Sequence, residues 1–271
     1  MPRASVNGID IYYQVRGRGE PLVLIQGMGS PGSGWFFQYR AFSKFYKVIV
    51  LDSRGAGRSS KPGEHCSVRT MADDVIGLMD HLGIDKAHIL GASMGGMITQ
   101  EIAINYPQRV KKLVLACTTA GVDDAGMRMM MQRSIGLGDG ASEADMGSMD
   151  ARTMGKVMGT VTALSFNRRM YRTFFIPAAK LYFRYGRIAE GVLGQLRSVA
   201  SHSTLDRLGQ IKAPTLVIGG TDDKIIPPQS SDILSKSIPG AKQVRVEGGS
   251  HSFFIEMHAR FNREVLEFLK G

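Results

Sequence analysis

The sequence has 271 residues, 43% of them hydrophobic and 21% charged, with a net charge of +10, and this composition is typical of a globular protein with one large core. No apolar run reaches the roughly 18 residues of a membrane-spanning helix, and the first residues lack the apolar stretch of a secretory signal, so we expect a soluble, cytoplasmic protein without membrane contacts. The 34 Lys and Arg residues are scattered and accompany no RNP, zinc-finger or basic-zipper pattern, which indicates a basic surface and no nucleic-acid partner.

Short apolar runs alternate with glycine-rich turns in the first 60 residues. Ile9–Val15, Pro21–Ile25 and Lys47–Leu51 have the composition of strands, and polar, glycine-rich stretches follow the last two at residues 26–34 and 52–59. Glycine-rich loops at the end of a buried strand often let the backbone approach a ligand. The 26–34 loop is not a phosphate loop, because it lacks the Gly-Lys-Ser/Thr ending.

Helical and strand patterns then alternate up to residue 116. Val68–Leu82 has apolar residues at helical spacing, the apolar run His88–Leu90 leads into a second helical pattern that ends near Pro107, and Lys112–Ala116 is the next strand. Continuous apolar strands that alternate with helices are the mark of a parallel sheet covered on both faces. We therefore predict an α/β fold of this type.

The turn between the run at 88–90 and the helix after it has the sequence Gly91-Ala92-Ser93-Met94-Gly95-Gly96. Small residues two positions before and after a serine allow a sharp, strained turn that exposes the hydroxyl. The N–H groups at the start of the following helix point to the space beside that hydroxyl. Our hypothesis is that Ser93 is a nucleophile.

The strand pattern stops at about residue 121 and resumes at Pro214–Gly219 and Gln243–Val246, before a closing helix at Glu256–Leu269. Residues 121–205 are rich in Met and Arg, and helical spacing indicates amphipathic helices at two sets of positions: Met127, Met130, Met131 and Ile176, Ala179, Lys180, Phe183. Methionine adapts to irregular apolar surfaces. We predict a core formed by 1–120 and 206–271, with 121–205 as a helical cap that lines an apolar pocket.

A nucleophilic serine needs a base, a group that orients the base, and N–H donors for an oxyanion. In hydrolases built on such a sheet, the acid and the histidine follow the serine in that order. His251, in a loop after the last predicted strand, is our candidate base. The other histidines precede Ser93 or lie at the end of the insertion or on the closing helix: His65, His81, His88, His202 and His258. Asp222 and Asp223 both follow the strand at 214–219, and spacing alone does not choose between them.

Five motifs occur in the order known from one family: the strand and loop Leu24 to Gly29, Asp52-x-Arg54-Gly55-x-Gly57-x-Ser59, Gly91-x-Ser93-Met94-Gly95-Gly96, Gly220-x-x-Asp223-x-x-x-Pro227, and Gly249-x-His251-x-x-x-x-Glu256. Over essentially its whole length the chain resembles the α/β-hydrolase family, and its Ser-Met-Gly-Gly-Met elbow resembles those of enol-lactonases and small carboxylesterases. The resemblance implies the α/β-hydrolase fold, a mostly parallel twisted sheet flanked by helices, with a helical cap inserted after the sixth strand. It also favours Asp223 as the acid, because the family's acid lies four residues before the proline.

The resemblance further implies that the backbone N–H groups of Met28 and Met94 bind the oxyanion. We expect Gly27, Gly29, Met127 and Met131 to contact the substrate. Gln26 stands where relatives usually have histidine. Because the backbone supplies the oxyanion donors, we expect activity to survive this change.

The function implied is a serine hydrolase that cleaves carboxylic esters, with lactones as a further candidate, through a Ser-His-Asp triad and an acyl-enzyme. Carbon–carbon bond hydrolases share the triad and stay an alternative. Cofactor-free haloperoxidase-like enzymes are a weaker one, because they often have Trp where Met28 stands. Serine at the elbow argues against epoxide hydrolases and haloalkane dehalogenases, which use Asp there. A different class is a ligand-binding receptor with slow turnover on the same scaffold.

Cys66 and Cys117 stand far apart and form no CxxC pair, so we expect neither a disulfide framework nor a zinc site. The predicted chemistry uses no metal or cofactor, and the expected partner is a small ester or lactone with an apolar moiety. The sequence gives no oligomeric state.

Overall fold

The computed structural model describes residues 2–61, 66–121, 151–183 and 186–271. Strands from these residues form one eight-stranded sheet in the order β1-β2-β4-β3-β5-β6-β7-β8. The strands are Arg3–Val6 (β1), Ile9–Arg16 (β2), Pro21–Ile25 (β3), Lys47–Leu51 (β4), Ala87–Ala92 (β5), Val110–Ala116 (β6), Thr215–Gly220 (β7) and Lys242–Val246 (β8). The pairs β1–β2 and β2–β4 are antiparallel, whereas β3 to β8 run parallel to one another. The carboxyl ends of the parallel strands therefore meet at one edge, where ligands gather in open α/β sheets.

The described residues form these helices: Phe36–Phe42 (α1), Val68–His81 (α2), Met94–Asn105 (α3), Ala151–Ser165 (α4), Arg169–Phe183 (α5), Gly186–Ala200 (α6), Pro228–Ser237 (α7), Phe253–Glu256 (α8) and His258–Lys270 (α9). In β3, Val23 and Ile25 belong to a buried cluster with residues of α2, α3 and α7, while Leu22 and Leu24 belong to a second cluster with residues of α1 and α9, so helices cover both faces of the sheet. Successive side chains of a strand point to opposite faces, so a strand buried on both must be apolar throughout. The predicted fold class is confirmed.

The closing helix differs from the prediction. We expected one helix from Glu256, but α8 ends at Glu256 and α9 begins at His258, because Met257 lies between them with φ −123° and ψ 35°, outside the helical region. The sequence patterns also missed β1, α1 and α7. These elements are short or lie at the edge of the sheet, where the apolar periodicity is weak.

In the described residues between β6 and β7, three helices, α4 to α6, are present, and we call them the inserted helices. Met154, Met158, Phe183 and Val192 form a buried apolar cluster among them, and the side chain of Met28 from the loop after β3 packs against it. Gly121 and Ser203 form an isolated antiparallel bridge at the two ends of the insertion. The division into core 1–120 and 206–271 and cap 121–205 stays a prediction. Met127 and Met131 lie outside the described residues.

In the part of the chain that the structure describes, no helix combines the length and the apolar character needed to cross a bilayer.

Candidate active site

Ser93 lies at the junction of β5 and α3, at the carboxyl edge of the sheet. Its backbone is strained, with φ 55° and ψ −124°, a conformation that residues with a Cβ rarely adopt. The glycines around it are required by space: a Cβ at Gly91 would lie 2.1 Å from the Gly95 carbonyl oxygen, and one at Gly95 would lie 2.2 Å from the Ile25 carbonyl oxygen. Close packing against β3 therefore forces the turn that presents the Ser93 hydroxyl.

His251 and Asp223 form a buried pair at the same edge. Nδ1 of His251 lies 2.8 Å from Oδ2 of Asp223, and both residues are only 8% exposed. The other carboxylate oxygen of Asp223 accepts hydrogen bonds from the N–H groups of Ile225 and Ile226, at 2.8 and 2.9 Å. These bonds fix the carboxylate. Because Nδ1 of His251 bonds to it, Nε2 is the ring nitrogen available to a reacting group.

The two candidate aspartates have different surroundings. Asp222 is exposed, and among the described residues its carboxylate has only a long contact of 3.5 Å, with the Thr221 hydroxyl. Asp223 is buried and holds the imidazole. The geometry therefore brings Asp223, and not Asp222, into the candidate triad.

Ser93 and His251 line one cavity of about 500 Å³. The loop after β3 forms one wall with Gln26, Gly27, Met28 and Gly29, and a Cβ at Gly27 would lie only 3.6 Å from Oγ of Ser93. Aromatic and aliphatic residues of α4 and α5 and the segment between them cover the cavity: Met158, Val161, Phe166, Phe175, Ala178, Ala179, Tyr182 and Phe183. The predicted contact residues Gly27 and Gly29 thus face the same space as the candidate nucleophile and base.

The predicted oxyanion donors belong to the loop after β3, which lines the same cavity as Ser93, and to the residue that directly follows Ser93. The N–H group of Met28 has no hydrogen-bond acceptor among the described residues. Met94 is the first residue of α3, where helical N–H groups lack intrahelical acceptors, and its side chain is buried in the core. An anion beside Ser93 would also benefit from the positive end of the α3 dipole.

Cys117 is a second nucleophilic residue near the triad, but it stays a neutral thiol. Complete burial, together with the charge of Asp223, raises the pKa of the Cys117 thiol well above its usual range. The thiolate is the reactive form of cysteine, so this group does not compete with Ser93.

Glu256 is a residue for which the motif gave no role. Its carboxylate accepts hydrogen bonds from the Ser250 hydroxyl, beside His251, and from the N–H groups of Asn167 and Arg168 at 3.2 and 2.7 Å, just before α5. One buried carboxylate therefore ties the histidine loop to the inserted helices.

Gln195 of α6 is a residue that the sequence reasoning missed. Its amide bonds to the backbone of Gly29 and of Arg54, which lie 166 and 141 positions away in the chain. No local pattern connects residues so distant, and only the folded chain identifies the contact.

Among the described residues, no group of three or more His, Cys, Asp or Glu side chains is arranged to hold a metal ion.

Comparison with known proteins places the chain in one family. A relative from Azorhizobium caulinodans, named provisionally as the carbamate hydrolase RutD, is 27% identical over 270 residues, which is 99% of this chain and 98% of the relative. The structure of the enol-lactonase from Burkholderia xenovorans LB400 matches with a TM-score of 0.84 and 26% identity, covering 100% of both chains. A meta-cleavage product hydrolase from Pseudomonas fluorescens IP01 matches with a TM-score of 0.82 and 26% identity, over 100% of this chain and 97% of that one. The family model for the alpha/beta hydrolase fold matches residues 20–257, so the chain belongs to the α/β-hydrolase family and is a hydrolase.

Proposed function

We propose that this protein is a serine hydrolase of uncharged carboxylic esters and lactones with an apolar moiety. One observation carries the proposal: His251 is held at 2.8 Å by the buried Asp223 carboxylate and lines the same cavity as the strained Ser93. A hydroxyl and an imidazole that line one cavity, with a buried carboxylate that orients the imidazole, are the groups that acyl transfer requires.

The reaction follows from these positions. The Ser93 hydroxyl attacks the ester carbonyl carbon while His251 accepts its proton at Nε2, and Asp223 stabilises the resulting imidazolium through Nδ1–H. The N–H groups of Met28 and Met94 stabilise the tetrahedral oxyanion. His251 then donates its proton to the leaving alcohol, and water hydrolyses the acyl-enzyme with His251 as base. Each oxyanion donor in such sites lowers the barrier by about 3 kcal/mol, and general base catalysis contributes about 10²–10⁴-fold.

The walls of the cavity support an uncharged, apolar substrate. Its volume of about 500 Å³ lies within the range of sites for small molecules. No Asp, Glu, Lys or Arg side chain is found among its described lining residues, whose titratable side chains are His251 and Tyr182, although the protein as a whole carries a net charge of +10. A substrate carboxylate or ammonium group would lose its hydration there without gaining a partner of opposite charge.

Carbamates are the second candidate class, because relatives over the full length of the chain are named as carbamate hydrolases. A carbamate also presents an electrophilic carbonyl to the nucleophile. The two classes differ in the group left on the serine: an aryl ester leaves an acyl group, whereas an aryl carbamate with the same leaving group leaves a carbamoyl group, whose nitrogen makes the carbonyl less electrophilic.

The test is turnover of p-nitrophenyl esters from acetate to decanoate, a γ-lactone series and an aryl carbamate, with wild type, Ser93→Ala and a Ser33→Ala control. Ser33 also lines the cavity but is exposed and outside the candidate triad. We expect Ser93→Ala to lose at least about 10⁴-fold in kcat, with Ser33→Ala unchanged. A fluorophosphonate should label both active forms and not Ser93→Ala.

Folded wild type that turns over no ester would refute the proposal. Labelling at Ser93 without turnover would favour the receptor alternative, and turnover of vinylogous diketones in preference to esters would favour the carbon–carbon bond hydrolase.

A further inference from the structure

One side chain of the inserted helices bonds to two loops of the core at once. Gln195 on α6 is fully buried. Its Oε1 accepts a hydrogen bond from the Gly29 N–H at 2.7 Å, and its Nε2 donates to the Arg54 carbonyl at 2.6 Å. The two loops follow β3 and β4, so a single amide connects the loop beside Ser93 to the neighbouring turn.

The amide reaches both loops because glycine allows helix and core backbones to meet. A Cβ at Gly191, one turn before Gln195, would lie 2.1 Å from the Gly55 carbonyl oxygen. A Cβ at Gly29 would lie 2.7 Å from the Phe183 ring. Neither contact leaves space for a side chain, so α5 and α6 pack directly on the two loops.

The Arg54 side of the bridge is firmly held. The Arg54 guanidinium forms a buried bidentate pair with Asp74, with N–O distances of 2.5 and 2.6 Å. The Asp52 carboxylate accepts from the N–H groups of Gly32 and Arg58 at 2.6 and 2.7 Å. Gln195 therefore connects the loop after β3 to a fixed point.

The loop after β3 needs such a constraint. Met28, whose N–H is a donor to the oxyanion in the proposed reaction and has no acceptor among the described residues, stands between Gly27 and Gly29. Gly29 adopts a left-handed φ of +69°, and glycine passes between backbone conformations more freely than any other residue. Without an anchor on the Gly29 amide, the neighbouring Met28 peptide could rotate away from Ser93.

We propose that Gln195 is a positioning residue of the oxyanion hole, which holds the Met28 N–H in place through the Gly29 amide. The proposal rests on the proposed function, because the Met28 N–H matters for rate only if an acyl oxyanion forms. It also implies that the Gly29 N–H, already bonded to Gln195, is not an oxyanion donor.

The test compares three variants with wild type on the best ester found. Gln195→Met keeps the size of the side chain and removes both hydrogen bonds. Gln195→Glu keeps both only while the new carboxyl is protonated, as a buried carboxyl is over an extended pH range. Ser198→Ala, one turn along the same helix, removes a different bond between helix and core, from the Ser198 hydroxyl to the Cys66 carbonyl at 2.5 Å.

We expect Gln195→Met to lower kcat by about 10- to 100-fold with KM changed less than about threefold, since a displacement of about 1 Å in a catalytic group has effects of this size. The affinity for a boronic acid that mimics the tetrahedral intermediate should fall by a similar factor. The Gln195→Glu rate, divided by that of wild type, should fall as pH rises. Ser198→Ala should keep kcat within about twofold.

Three results would overturn the inference: an unchanged kcat in Gln195→Met, an equal loss in Ser198→Ala, or a Gln195→Glu ratio that is constant with pH. If Gln195→Met does not fold, the Gln195→Glu ratio decides alone. An active wild type with any of these results refutes only the role of Gln195, whereas a folded but inactive wild type refutes the proposed function and this inference together.

Discussion

The buried pair of Arg54 and Asp74 gives the sharpest stability prediction, and Asp74→Asn is the perturbation. The two side chains are only 6% and 2% exposed. Both Asp74 oxygens bond to the guanidinium, and the Asn7 amide donates to one of them at 3.2 Å. Since the hydrogen-bond partners of the carboxylate among the described residues, Arg54 and Asn7, are all donors, an asparagine must turn its own NH₂ group towards one of them. Removing one partner of such a buried pair destabilises a protein by about 3–5 kcal/mol.

The control is the adjacent residue on the same helix. Asp73 pairs with Arg69 at 2.9 Å, but these side chains are 37% and 46% exposed. Solvent screens such a pair, so Asp73→Asn should change the free energy of unfolding by less than about 1 kcal/mol. Each kcal/mol shifts Tm by about 2–4 °C in a domain near this size, so Asp74→Asn should lower Tm by about 6–20 °C and its neighbour by a few degrees.

Urea unfolding at pH 7, followed by circular dichroism, measures both variants on one scale. The double variant Arg54→Met with Asp74→Leu should recover much of the loss, because it also removes the desolvation penalty of the pair. Equal losses for Asp73→Asn and Asp74→Asn would refute the reasoning. So would a double variant less stable than Asp74→Asn, since shape and not charge would then explain the loss.

Three further predictions concern the contacts between core and inserted helices. Burial lowers the pKa of His202 to about 4, below its unfolded value of 6.5. The stability that neutral His202 contributes is therefore complete above pH 6.5 and falls by about 2–3 kcal/mol as pH drops towards 4. Urea unfolding at pH 4.5 and 7 should show this loss of stability, and His202→Gln should make the difference between the two pH values smaller. In Glu256→Gln the amide cannot accept hydrogen bonds from all three donors, so the free energy of unfolding should fall by about 1–3 kcal/mol and kcat should fall as well. The control Glu267→Gln, at an exposed position, should change neither quantity. Gly191→Ala would place a methyl group 2.1 Å from the Gly55 carbonyl oxygen, and this clash with the backbone should lower both Tm and kcat. An unchanged kcat would show that α6 can shift without affecting the site.

The parts of the site that depend on local pattern could be predicted from the sequence. The strands β3, β4 and β5 are continuous apolar runs, and the loops that carry the candidate residues begin where those runs end. The strained φ of Ser93 follows from the small residues around it, because no side chain fits against β3 at Gly95. Physical constraints that act within a few residues leave a readable pattern.

Other parts depend on the folded chain. Spacing did not separate Asp222 from Asp223, because the difference is which carboxylate turns inward to His251 and which to solvent. The break at Met257 was missed because the apolar spacing continues through it. In the sequence, Gln195 looks like any other polar residue of a helix, because its hydrogen-bond partners lie more than 140 positions away.

The inserted helices shape the cavity and also hold the loops that carry the chemistry. Gln195 of α6 bonds to the loop after β3, and the two residues just before α5 bond to Glu256 near His251. Met28 packs against the apolar cluster of the same helices. A substitution that shifts these helices to fit a larger substrate would therefore also shift the oxyanion loop and the histidine loop. Changes in specificity that preserve the rate should be confined to cavity residues without such bonds, such as Phe175, whereas movements of whole helices should change kcat together with KM.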